Sequence, residues 1–154
     1  MKIIFGVMEW GLGHSTRDIP LIEGLLNRGH SVDILSHGRA LKILQEKFGS
    51  RCNYFDIPSF FIPRNQKYFF LGCTMNLHKI ISVIMKARKF SKKILNEGKY
   101  DLIISDNRFD LYDKPINSVM ILHTLNFENS WFKYPVNGVF DFLLRPYDID
   151  NCIA

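Results

Sequence analysis

A continuous apolar run, Ile3-Ile4-Phe5-Gly6-Val7, leads directly into Glu9-Trp10-Gly11-Leu12-Gly13-His14. This junction constrains the fold more than any other feature. A run without polar alternation reads as a strand covered on both faces. The glycine-rich segment after it reads as a strand-to-helix turn. A helix is predicted from about Asp18 to Arg28, with Leu21, Ile22, Leu25 and Leu26 on one side and Gly29 as its stop. Pro20 argues for a start near Asp18, because proline is tolerated in a helix's first turn. Ser15 and Asp18 have the spacing of a capping box.

The pattern then repeats. Val32 to Leu35 reads as a second strand, Ala40 to Phe48 as a second helix closed by Gly49, and Asn53 to Ile57 as a third strand. Pro58 to Gly72 is irregular and rich in aromatics. A long helix is predicted over about Met75 to Glu97, closed by Gly98. Its apolar stripe is Leu77, Ile80, Ile81, Ile84, Ala87, Phe90 and Ile94, and Lys79, Ser82, Lys86, Lys89 and Lys93 lie opposite. Asp101 to Ser105 and Ser118 to Leu122 are the fourth and fifth strands. A helix follows over Val136 to Leu144, and Ile149 to Ala154 resembles the start of another strand. Alternating strands and helices imply an α/β fold, a Rossmann-like parallel sheet with helices on both faces. The 154 residues fit one domain, large enough to bury a core without a disulfide or metal.

Composition closes off other classes. Hydrophobic residues make up 47% and charged residues 23%, as in ordinary globular proteins. No apolar run reaches the roughly 18 residues of a membrane-spanning helix, and the N-terminal run is too short for a signal-peptide core. Cys52, Cys73 and Cys152 fit no zinc spacing or disulfide framework, which suits a reducing cytoplasm.

In open parallel sheets, ligands bind beyond the carboxyl ends of the strands. Polar residues gather there: Gly11, Gly13, His14 and Arg17 after the first strand; Ser36, His37, Gly38 and Arg39 after the second; Asp106, Asn107 and Arg108 after the fourth; His123, Thr124 and Asn126 after the fifth. Gly11 and Gly13 permit positive φ and close backbone approach, and a helix N-terminus attracts anions. A bare tight turn is the alternative. A dinucleotide fingerprint would need a third glycine where Thr16 stands. His14 is a candidate general base or hydrogen-bond donor to a phosphate, or an ordinary loop histidine. Asp106 is a weaker catalytic candidate, able to orient a hydroxyl or to cap a loop. His37 and His123 lie at the expected cleft edge, and Arg108 could meet phosphate or simply be exposed. The histidine spacing matches no metal-ligand pattern, so no metal is expected.

The net charge of +5 is concentrated. Residues 60–99 hold nine basic side chains and one acidic, Glu97. The lysine face of the long helix, with Phe60, Phe61, Phe69 and Phe70 nearby in sequence, would suit an anionic membrane surface. Lys79, Lys86, Lys89, Lys93, Phe69 and Phe70 are the candidates for that contact. A solvated lysine face with buried aromatics is the alternative. No nucleic-acid motif is present, so no nucleic-acid partner is expected.

Lys2 to Arg17, with its Gly-Leu-Gly-His-Ser-Thr-Arg core, resembles the opening of GT-B glycosyltransferases, in particular the MurG-like, family 28-related enzymes. Arg28 to Arg39, Tyr100 to Arg108 and Val119 to Leu125 are similar to later segments of the same group, in the same order. The resemblance implies a sugar transferred from a nucleotide-sugar donor to an acceptor hydroxyl. Residues 1–154 would form a single N-terminal acceptor-binding domain. The donor domain has no counterpart in this chain, so the chain alone is expected to be inactive. The donor would be a substrate held mainly by that second domain, with no cofactor. Gly11, Gly13 and His14 would line the acceptor side, Arg17 would stabilise the loop or an anion, and His37, Asn107, Arg108 and His123 would be substrate contacts. The partners implied are a small-molecule or lipid-linked acceptor, the donor domain and an anionic membrane. The implied location is cytoplasmic, peripheral on the inner face of the membrane. A related nucleotide-sugar epimerase and a non-catalytic binding module of the same fold are the alternatives.

Overall fold

The computed structural model describes residues 1–9, 12–58, 77–122 and 152–153; at positions 12, 14, 77–80 and 152–153 it describes the backbone alone. Six parallel strands are described: β1 (Lys2–Val7), β2 (Ser31–Ser36), β3 (Asn53–Asp56), β4 (Leu102–Asp106), β5 (Asn117–Ile121) and β6 (Cys152–Ile153). They lie in the order β3-β2-β1-β4-β5-β6. Three helices accompany them: α1 (Leu12–Asn27), α2 (Gly38–Phe48) and α3 (Leu77–Gly98). The expected boundaries of the first five strands hold to within one residue, and of the strand expected over Ile149 to Ala154 the described part is Cys152–Ile153. The helix expected over Val136 to Leu144 lies outside the described residues.

Both faces of the sheet are covered, because successive strand side chains alternate. Ile3, Phe5 and Val7 pack with Val32 and Ile34 against Ile22 of α1 and Leu44 and Phe48 of α2. Ile4 points the other way and packs with Leu35, Ile103 and Leu111 against Ala87 and Leu95 of α3. Gly6 also faces α3: a Cβ there would stand 2.5 Å from Leu111 Cδ2. The gap in side-chain bulk at Gly6 is what lets the β4–β5 connection lie across the sheet.

Three expectations about the helices are corrected. First, α1 begins at Leu12, not near Asp18, and Pro20 lies inside it. The cost is one absent backbone bond toward Thr16, offset by the burial of Ile22 in the core. Ser15 is accordingly an interior helix residue and not a cap. Second, Gly13 is helical and does not use positive φ; among the described residues the positive-φ glycines are Gly29, Gly38 and Gly49. Third, the buried stripe of α3 runs through Ile84, Ala87, Ser91 and Leu95, whereas Phe90 is 62% exposed and Ile81 40%. Ser91 displaces Phe90 from the stripe because its hydroxyl donates to buried Asp110 Oδ2 at 2.9 Å. The left-handed turn after α3 is made by Lys99, with φ 51°. Gly98 serves another purpose, since a Cβ there would overlap the Tyr100 ring.

Candidate functional site at the sheet switch point

The strand order reverses at β1, which pairs with β2 on one side and β4 on the other. Connections leaving β1 and β4 therefore diverge and open a crevice at the carboxyl edge. Val7 is in register with Asp106, and Asp106 with Ile121, so β1, β4 and β5 end at one level.

Asp106 is fully buried at that edge. Its Oδ1 accepts from Arg17 Nη2 at 2.9 Å and from Asn107 Nδ2 at 3.3 Å. Asn107 takes φ 51°, and its N–H donates to the Ile121 carbonyl at 3.1 Å, tying the end of β4 to β5. Asparagine is among the non-glycine residues that tolerate this left-handed region. Arg17 crosses from α1 to β4, and its side chain stays 38% exposed. The expected residues Arg17, Asp106 and Asn107 are thus brought together. His14 lies by its backbone in the first turn of α1, three positions before Arg17. The N–H groups of that turn have no carbonyl partner within the helix, and the turn carries no acidic residue. Gly13 is exposed, and a Cβ there would meet nothing within 4 Å. Gly11 and His123 lie outside the described residues.

Asp18, one residue beyond Arg17, was not among the expected site residues. It is fully buried beside Asp106. Burial pushes its carboxyl up to about 8, the Asp106 charge and hydrogen bond push the same way, and Arg17 pulls back.

A second cluster stands at the ends of β1, β2 and β3. His37 precedes α2 in extended conformation, and its Nδ1 lies 2.5 Å from Asp56 Oδ1. Its Nε2 lies 4.0 Å from Glu9 Oε2. His37 therefore sits at the expected edge, but with two carboxylates as neighbours that the sequence reading did not pair with it. Glu9 and Asp56 obey the same strand-end rule that singled out His37. Among the described residues no group of three side chains is arranged to hold a metal ion.

Arg108 requires a correction. It was expected to contact substrate; instead its side chain has no exposed surface. Its Nε and Nη2 donate to the two Asp110 oxygens at 3.0 and 2.9 Å, and Nη1 donates to the Ile57 carbonyl at 2.8 Å. Arg108 is an internal tie between the β4–β5 connection and the end of β3.

On α3, Lys86, Lys89 and Lys93 are exposed and share one face by their three- and four-residue spacing. Arg88 is not part of that face: its guanidinium carbon lies 3.2 Å from the Tyr112 ring centroid, and Nη1 donates to the Tyr112 carbonyl at 3.3 Å. Phe69, Phe70 and the Lys79 side chain lie outside the described residues. Among the described residues no helix is long and apolar enough to cross a membrane.

A parallel sheet in this order, covered on both faces and with its polar cluster at the switch point, is a Rossmann-like α/β fold of the kind found in GT-B glycosyltransferase domains. The chain belongs to glycosyl transferase family 1, whose description it matches over residues 1–120. No curated protein sequence matches it. Among solved structures it is similar to the calicheamicin glycosyltransferase CalG4, at TM-score 0.58 and 16% identity over 95% of this chain. It is also similar to the glycosyltransferase SnogD from Streptomyces nogalater, at TM-score 0.55 and 17% identity over 97%, and to the glycosyltransferase of kitacinnamycin, at 0.56 and 16% over 94%. The chain spans 42%, 40% and 35% of those three structures, respectively.

Proposed function

We propose that this chain is the acceptor-binding part of a glycosyltransferase that moves a sugar from a nucleotide-sugar donor to an acceptor hydroxyl at a membrane surface. The observation that carries the reading is the meeting of the α1 N-terminus with the Arg17–Asp106 pair at the switch point. The helix start supplies N–H groups and positive dipole for an anion. Arg17, half-exposed and oriented by Asp106, supplies a fixed positive charge beside it.

In the proposed reaction His14 takes the proton of the acceptor hydroxyl. The freed oxygen bonds to the anomeric carbon as the bond from that carbon to the nucleotide diphosphate breaks, and the diphosphate leaves with the electron pair. Asp106 orients the polar groups around this centre. The donor is held mainly by a second Rossmann-like domain. The MurG-like opening segment favours a lipid-linked acceptor, reached from the cytoplasmic face. A donor-panel transfer assay on the protein with that domain present tests the function. Transfer from one or more nucleotide sugars is expected; binding of acceptor without transfer from any donor would favour a non-catalytic module.

The membrane part of the proposal rests on the lysine face. Each lysine near an anionic bilayer contributes about 1 kcal/mol, an attraction that salt screens. Neutralising Lys86, Lys89 and Lys93 to glutamine is therefore expected to weaken binding to phosphatidylserine-containing vesicles by roughly two orders of magnitude. Vesicle sedimentation at low ionic strength measures this. Failure of the unaltered chain to sediment with anionic vesicles would remove the membrane from the proposal.

A further inference from the structure

We propose that Asp18 carries a proton and donates it as a hydrogen bond to the Asp106 carboxylate, which makes Asp18 a positioning residue for the site. The protonation rests on geometry; its kinetic consequence rests on the proposed function.

The Asp18 side chain has no exposed surface. Neither of its oxygens has a hydrogen-bond partner among the described residues. Arg17 Nε stands 3.8 Å from Oδ1, beyond hydrogen-bond length, and the Arg17 Nη2 donor is given to Asp106. One guanidinium meets both carboxyl groups, since Arg17 stands 3.8 Å from Asp18 Oδ1 and 2.9 Å from Asp106 Oδ1, which brings the two together. Two buried carboxylates that share a single arginine, whose hydrogen bond goes to only one of them, resist ionising together; one proton converts the repulsion into a hydrogen bond. Asp106 holds donors from Arg17 and Asn107 and so keeps the charge. Asp18 holds none and so takes the proton.

The charged neighbours leave this assignment in place. Among the described residues, Arg17 on α1 and Asp106 on β4 are the groups that act on Asp18. Lys47 of α2 and Arg51 just beyond it pair with Glu23, further along α1. Glu9 beyond β1 and His37 beyond β2 face one another.

The consequence for the site is electrostatic. With Asp18 neutral, the charges of Asp106 and Arg17 balance each other. Ionising Asp18 places a second carboxylate where a diphosphate is proposed to lie, which repels it. Stability follows the same proton. The folded chain holds it up to about pH 8, whereas an unfolded aspartate loses it near 3.8. The stabilising share is therefore fully present below about pH 4, declines as pH rises to about 8, and is gone above that.

Infrared spectroscopy of the chain, with Asp18→Asn as the comparison, tests the proton directly. At pH 6.5 a protonated-carboxyl C=O band is expected; it should fade as pH passes through about 8 and be missing from Asp18→Asn. Asparagine keeps the shape and a donor without titrating. Its melting temperature is therefore expected to exceed that of the unaltered chain by a margin that widens from pH 5 to pH 8. No protonated-carboxyl band at pH 6.5, or a band that persists in Asp18→Asn, overturns the proposal. In the two-domain enzyme kcat/KM should fall on an alkaline limb that Asp18→Asn removes. If the band behaves as expected and no sugar is transferred, the proton assignment stands and the functional reading falls.

Discussion

Arg108→Ala is expected to destabilise the fold by about 3–5 kcal/mol, the usual cost of removing one partner from a buried ion pair. The guanidinium donates to both oxygens of Asp110 and to the Ile57 carbonyl, and has no exposed surface. Alanine would leave the Asp110 carboxylate buried with Ser91 as its remaining described donor, and the Ile57 carbonyl without its arginine. The loss would spread, because this network joins three places: the β4–β5 connection, α3 through Ser91, and the end of β3 through Ile57. Ser105 Oγ adds a bond to the Arg108 carbonyl at 2.6 Å. For a domain of this size each kcal/mol lowers the melting temperature by roughly 2–4 °C, so thermal unfolding should show a drop of roughly 6–20 °C. Replacing the pair together, Arg108→Met with Asp110→Leu, removes the orphaned charge and should recover part of the loss. A single-variant loss below about 1 kcal/mol would sink the role given to Arg108, since that is the scale of an exposed pair.

The same residue shows where sequence reading stops. A polar side chain just after a strand is ordinarily exposed, and nothing local marks Arg108 as inward. Its burial depends on Asp110 two residues on, on Ser91 nineteen residues before Asp110, and on a carbonyl fifty-one residues away from Arg108. The strands were legible because uninterrupted apolar runs bounded by turn residues have few other uses. The switch-point location was legible because it follows from strand order. Boundaries on α1 were not, because Pro20 and the Ser15–Asp18 spacing carry start signals that tertiary burial overrides. The α3 stripe was misread at Phe90 for a related reason: hydrophobicity alone does not anticipate that Ser91 is paired with a buried carboxylate. Asp18 was read as a cap for the same lack of depth information. At the site, Arg17, Asp106 and Asn107 were legible from position alone. Their bonding pattern, and the His37 contacts with Glu9 and Asp56, needed the register of separate strands.

His14→Ala in the two-domain enzyme is expected to lower kcat by about 10²–10⁴-fold, the range that general-base catalysis contributes. That corresponds to roughly 3–5 kcal/mol of barrier. The backbone of residue 14 lies in the first turn of α1, where anions are favoured and where β1 delivers the chain to the crevice. It precedes Arg17 by three positions and Asp18 by four, about one turn along the helix backbone. If the role is proton removal, kcat falls while KM for the acceptor changes little, because the histidine acts mainly in the transition state. Added imidazole should restore part of the rate, an outcome that a purely structural role would not produce. Equal losses through KM alone would instead make His14 an acceptor-positioning residue. A turnover within about threefold of the unaltered enzyme, against the fold-change expected of a base, would remove His14 from the chemistry altogether.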